Sequence, residues 1–143
     1  MRWKKIMKIS WSALFLFILL RAVVFADEGR TVMEEVHYTI SSQIDAFKKN
    51  DVKEAYTFAA PNIQAQFPNP DTFGLMVRNG YPTIWKPKSF KFVKFKDLGN
   101  KCIQRVLFQS YGGSLETYDY ILEKNNNLWK IAGVLTIKSA GET

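Results

Sequence analysis

Cys102 and His37 are the only cysteine and the only histidine in the sequence. With one of each, an internal disulfide is impossible and a zinc site of ordinary ligand spacing is excluded. Cys102 reads as a small buried hydrophobe, because no histidine or basic helix start stands beside it to activate the thiol. The sequence also lacks a glycine-rich phosphate loop and a serine-centred nucleophile elbow. Internal repeats and low-complexity segments are missing too. These patterns imply no cofactor and no metal.

Acidic residues are absent from the first 26 positions, and that stretch has the layout of a leader. Arg2, Lys4, Lys5 and Lys8 form a basic start, and Ile9 to Leu20 follows as an almost wholly apolar run. Val24-Phe25-Ala26 then offers small residues for a cleavage site. The pattern is that of a secretory signal peptide cut after Ala26, which implies a periplasmic or secreted protein. The alternative is an uncleaved N-terminal membrane anchor. Arg21 interrupts the apolar run short of the ~20 residues that a spanning helix needs. After cleavage no membrane span is expected.

Charge is read differently once the leader is set aside. Five of the 20 basic residues lie within it and all 13 acidic residues lie beyond it, so residues 27–143 carry 15 basic against 13 acidic side chains. A net charge of +2 rather than +7 gives little reason to expect nucleic acid as a partner. The length of residues 27–143 is that of one domain.

Val32, Val36, Ile40, Ile44 and Phe47 recur at helical spacing, which predicts an amphipathic helix over 31–50. Asp51 followed by Glu54 is a capping pattern that starts a second helix at once. A third helix is expected over Asn62 to Phe67. Asn69, Pro70 and Asp71 are a cap, a first-turn proline and a dipole partner for a fourth. Asn79-Gly80 is expected to end that helix in a left-handed turn. Thr83-Ile84-Trp85 reads as a short extended piece between two prolines.

After Pro87 the period changes to two. Four strands are expected, over 89–98, 101–111, 115–124 and 128–138. Phe90 and Phe92 have one parity and Val93 and Phe95 the other. A bulge near Phe92-Val93 would turn all four inward and Lys91, Lys94 and Lys96 outward. Trp129, Ile131, Leu135 and Ile137 are expected to share one face. Helices followed by an antiparallel meander give an α+β fold, with N-terminal helices packed on a curved sheet that forms a cone. Apolar residues on both faces of the second strand leave room for a homodimer through the sheet, or for a partner protein.

Several segments carry a resemblance. Residues 44–51 and 54–61 (IDAFKKND and EAYTFAAP) resemble the helical hairpin of the nuclear-transport-factor-2-like superfamily, the SnoaL-like or ketosteroid-isomerase-like cone. Residues 58–64 (FAAPNIQ), 76–82 (MVRNGYP), 85–89 (WKPKS) and 129–133 (WKIAG) are similar to the bacterial family known as domain of unknown function 4864. The resemblance covers nearly all of 31–137. It implies the cone fold and a cell-envelope setting, and it brings no activity with it.

A proton-transfer site in such a cone would need a carboxylate base and an acidic donor in a dry pocket. Asp119, between Tyr118 and Tyr120, is the candidate base if odd residues of the third strand face inward. The cost of burying an unpaired carboxylate favours the outward reading. His37 lies one position from the apolar stripe and reads as a boundary histidine rather than a catalytic one. Lys86, Lys88, Lys91, Lys94, Lys96 and Lys101 are a basic run, most simply a solvated face that blunts an edge strand. The sharper reading is a patch for anionic lipid or an acidic partner. Tyr56, Arg78, Tyr81 and Trp85, with Phe73, are the candidate ligand-binding residues, suited to an apolar or aromatic ligand with an anionic end at Arg78. Their competing reading is plain core. The preferred function is a non-catalytic binding or accessory module for a small apolar ligand or a protein partner. The alternative is a small isomerase-like or dehydratase-like enzyme using Asp119 and a tyrosine.

Overall fold

The computed structural model describes residues 30–138; the leader expected over 1–26 and its cleavage point lie outside them. Among the described residues, five helices precede four strands. They are α1 (Val32–Lys48), α2 (Val52–Thr57), α3 (Pro61–Gln66), α4 (Pro70–Gly80), α5 (Pro82–Trp85), β1 (Ser89–Asp97), β2 (Lys101–Gln109), β3 (Leu115–Asn125) and β4 (Leu128–Ile137). The strands form one antiparallel sheet in the order β1-β2-β3-β4. The sheet curves over the helices without closing, which is the α+β cone expected from the order of elements.

Short-range chemistry sets the helix starts. Thr31 and Glu34 exchange backbone and side-chain hydrogen bonds in a complete capping box at α1. Asp51 accepts from the Glu54 amide at α2, and Asn69 accepts from the Thr72 amide at α4, ahead of Pro70. Val36, Ile40, Ile44 and Phe47 of α1 are fully or almost fully buried against Cys102, Val106, Phe108, Tyr120 and Leu122 on the inner face of the sheet. Each such side chain contributes about 1.5–3 kcal/mol by leaving water. Thr39 Oγ1 also bonds the Trp129 carbonyl, pinning α1 to β4.

The link between α4 and β1 differs from expectation. Gly80 stays within the helix and has no left-handed φ; among the described glycines only Gly99 and Gly113 do. The stop is Tyr81-Pro82 instead. Tyr81 leaves helical geometry, and Pro82 opens a new turn as its first residue. Thr83, Ile84 and Trp85 are therefore helical rather than extended, and all three are buried.

The sheet contains two bulges. On β1 the register skips between Phe92 and Lys94, where parity required it. Phe90, Phe92 and Phe95 turn toward the core, but Val93, the bulged residue, is 56% exposed. On β4 Leu122 pairs with Ile131 and Ile121 with Gly133, so Ala132 is left over. This second bulge overturns the single face expected for β4. Trp129 and Ile131 are buried, whereas Leu135 faces outward opposite Asp119 and is exposed. The edge of β4 is covered by the segment joining α2 and α3. Ile131 donates to the Phe58 carbonyl and accepts from the Ala60 amide, both at 2.8 Å. Asn62 Nδ2 holds the bulged Ala132 carbonyl at 2.9 Å. These contacts satisfy backbone groups that an open edge would expose.

Candidate functional site

A cavity of about 510 Å³ lies between the helices and the β3–β4 side of the cone. Gln43 and Phe47 of α1, Ile63 and Phe67 around α3, and Phe73, Met76 and Val77 of α4 line one side. Tyr81 and Ile84 continue the wall, and Tyr120 with residues 131–135 of β4 completes it. The bulge at Ala132 brings the backbone of β4 into this lining. Among the described residues the lining holds no Asp, Glu, Lys, Arg or His. Its polar side chains are Gln43, Asn62, Gln66, Tyr81 and Tyr120.

Two of these are already engaged. Gln43 Nε2 donates to the Ala55 carbonyl at 3.2 Å, and Asn62 donates to Ala132. Tyr120 is wholly buried, and its hydroxyl finds no hydrogen-bond partner among the described residues. Burial, and then the neighbouring Tyr118 and Tyr81, push its phenol far above the ordinary value. Tyr120 therefore stays protonated and keeps its O–H to donate. Tyr118, two residues back on the same face of β3, donates to Glu116 and packs edge-on against Tyr81 at 5.9 Å.

Of the four candidate ligand-binding residues, the structure places only Tyr81 on the cavity. Tyr56 donates to the Phe67 carbonyl at 2.6 Å, tying α2 to the end of α3, and packs its ring on Phe73. Trp85 is buried beside Phe47, with ring centroids 5.2 Å apart. Arg78 is exposed and sits 4.8 Å above the Trp85 ring as a cation–π pair. Tyr56 and Trp85 are therefore packing residues, and Arg78 shields one of them. Gln43 and Tyr120 were missed. Gln43 occupies a stripe position of α1 between Ile40 and Phe47, where a polar residue is the signal. Tyr120 follows from strand parity, once the register is known.

Asp119 is on the opposite face of the sheet from the cavity. Inward positions of β3 are the even ones, Tyr118, Tyr120 and Leu122. Arg105 grips Asp119 with two hydrogen bonds, Nε to Oδ1 at 2.7 Å and Nη2 to Oδ2 at 2.8 Å. These bonds hold the carboxyl below its ordinary value, against the opposing effect of burial, with further help from Arg105 and Lys94 charge. This corrects the enzyme reading built on Asp119, since the group faces away from the cavity and both its oxygens are held by Arg105. His37 is not part of the cavity lining either. Its ring stacks on Phe92 at 3.8 Å, nearly parallel, and its Nε2 meets Gln104 Oε1 at 2.9 Å. Cys102 is fully buried, and burial, followed by Asp97, pushes its thiol up to about 12. No group of three or more potential metal ligands occurs among the described residues.

Residues 30–143 match the family described as domain of unknown function (DUF4864). No curated protein matches the sequence. Two solved structures share the fold. One is an NTF-2 like protein of unknown function from Shewanella oneidensis MR-1, with a TM-score of 0.50 and 13% identity over 74% of this chain and 98% of that one. The other is called a putative NTF2-like transpeptidase, from Campylobacter jejuni, with a TM-score of 0.50 and 13% identity over 71% and 98%. At such identity the likeness concerns fold alone. The chain belongs to the DUF4864 family and is built on the NTF2-like α+β cone.

Proposed function

We propose that this chain is an exported, non-catalytic binding module whose cavity takes an apolar or aromatic small molecule. The observation that carries this reading is the cavity itself, about 510 Å³ and mainly apolar. That volume is in the range of small-molecule sites, roughly 300–1,000 Å³, which pair apolar walls with a few polar groups. The wall residues offer binding rather than chemistry. Among the described residues the lining carries no Ser, Thr, Cys, Lys, His or carboxylate side chain, and the name given to the Campylobacter protein is not carried over to this chain. Export rests on the leader pattern of the sequence, and no helix among the described residues is long and apolar enough to cross a membrane.

The test has two arms on one sample. The full chain is expressed in a bacterium with an outer membrane, and the soluble periplasmic fraction is analysed by intact and native mass spectrometry. The expected intact mass begins at Asp27, and the native spectrum carries an added small-molecule mass that is lost on unfolding. Full-length protein confined to the membrane fraction would overturn cleavage in favour of the membrane anchor, and full-length protein confined to the cytosol would overturn export. Substrate turnover that depends on residues of the cavity would overturn the non-catalytic reading.

A second reading is favoured by the outer face of the sheet. Ile103, Leu107 and Ile121 are only half-covered there, and Leu135 stands exposed beside the Arg105–Asp119 pair. A second copy or another protein seated on this face would bury that row. Sedimentation equilibrium is expected to show concentration-dependent dimers, and a monomer at all concentrations would count against self-association.

A further inference from the structure

The cavity makes no use of the basic run that begins at Lys86. Residues 86–96 hold Lys86, Lys88, Lys91, Lys94 and Lys96, all exposed, and no acidic residue. β1 is an edge strand, paired only with β2. Lys91, Lys94 and Lys96 stand on its outer face, opposite Leu107, Arg105 and Ile103. From Lys88 to Lys96 the strand spans about 25 Å. The fold does not neutralise this edge. Among the described residues, none of these five ammonium groups has a carboxylate within ion-pair distance. Lys101, the sixth lysine of the run, differs, since its Nζ lies 3.1 Å from Glu123 Oε1. Asp97, at the end of β1, accepts from the Gly99 amide, and Asp119 on the same face gives both oxygens to Arg105. The bulge sets Val93 beside Lys94 opposite Arg105, so an exposed apolar side chain stands within the row of cations. Protecting an edge strand from unwanted pairing needs less than this, because the bulge already interrupts the ladder.

We propose that the β1 edge is a docking surface for an anionic phospholipid bilayer, which the exported domain touches reversibly through these lysines. Lysine is a compact, hydrated point charge that suits a diffuse field of phosphates, whereas fixed recognition of one carboxylate or phosphate calls for the fork of arginine. An exposed valine among the cations suits a surface with apolar depth rather than a soluble polyanion. Residues 27–143 carry a net charge of only +2, so the attraction comes from where the lysines stand and not from the total. Salt screens contacts between exposed charges, and such docking is therefore compatible with recovery in a soluble periplasmic fraction. No residue of the cavity lining takes part, so this surface and the ligand site are independent of each other.

The test is co-sedimentation of the processed periplasmic chain with vesicles of phosphatidylcholine, or of phosphatidylcholine and phosphatidylglycerol in equal parts. Two triple variants carry the same change in charge. One is Lys91→Ala, Lys94→Ala and Lys96→Ala on the edge; the other is Lys48→Ala, Lys49→Ala and Lys53→Ala around the junction of α1 and α2. All six lysines are exposed, so both variants are expected to keep the parent unfolding midpoint. The parent chain is expected to bind the phosphatidylglycerol vesicles, to ignore the neutral ones, and to be released by about 0.5 M salt. The edge variant is expected to lose about a hundredfold in affinity, roughly fivefold for each lysine, and the other variant no more than about twofold. Absence of a preference for phosphatidylglycerol, or an equal loss in the two variants, would overturn the proposal. Binding of soluble polyglutamate as tight as vesicle binding would overturn it in favour of an acidic protein partner.

Discussion

Gln104 is 1% exposed, yet every polar atom of its side chain is used. Its Nε2 donates to the Lys94 carbonyl at 3.1 Å and to the Arg105 carbonyl at 2.8 Å. Its Oε1 must then accept from His37, which settles the proton on Nε2 of that ring. This one amide ties α1, the β1 bulge and β2 together. Gln104→Leu is expected to cost about 1–3 kcal/mol, because it strands buried carbonyls. Urea denaturation with an unchanged m-value checks it. Asp119 makes a second residue-scale prediction. Its folded carboxyl lies below the unfolded value of about 3.9, so its stabilising effect is present above that pH. The effect is lost as pH falls through the lower folded value. Thermal melts of Asp119→Asn are therefore expected to show less loss between neutral pH and pH ~3 than the parent chain. A parallel decline in both proteins would mean the Arg105 pair contributes nothing measurable. Asp119 stood out in the sequence but its partner Arg105, 14 residues away, did not, and the Gln104 bonds to Lys94 and His37 span 10 and 67 residues.

At the scale of elements, α4 meets α2 at Gly74. A Cβ built there would lie 2.5 Å from Val52 Cγ1, on a short branched side chain with little room to retreat. Gly74→Ala, ordinarily favourable in a helix, is therefore expected to destabilise by about 1–3 kcal/mol. In a Val52→Ala background the same change is expected to cost less, and equal cost in both backgrounds would disprove the contact. The sequence shows why some elements were readable and others were not. Caps at Asp51 and Asn69 act over three residues, and the parity conflict at Phe92-Val93 announced the β1 bulge. The β4 bulge at Ala132 is marked less clearly, because Trp129, Ile131, Leu135 and Ile137 share one parity and only Gly133 and the adjacent Val134 depart from that pattern. It is set by a partner more than 60 residues away, the Phe58–Ala60 segment and Asn62 that pair with β4. Likewise Asn79-Gly80 has the composition of a stop, yet Pro82 starts the next turn so closely that the chain needs no left-handed residue.

At the scale of the molecule, the cone and its family were visible from helices followed by a meander and from the matched segments. The position of the cavity was visible only in part. Of the four candidate binding residues Tyr81 lines the cavity, whereas Tyr56, Arg78 and Trp85 look equally suitable in sequence and make their contacts elsewhere. The central claim is that this cavity is a ligand site. Met76 lines it from α4 and is half-buried, so a larger side chain there can fill the space without touching the sheet pairing. The most direct measurement is the shift in unfolding midpoint caused by acetylnaphthalene, for the parent chain and for Met76→Trp. The parent chain is expected to gain stability with ligand concentration, about 2.7 kcal/mol at a hundred times the dissociation constant, while the filled variant gains none. An equal shift in both proteins, or no shift in the parent chain, would contradict the account.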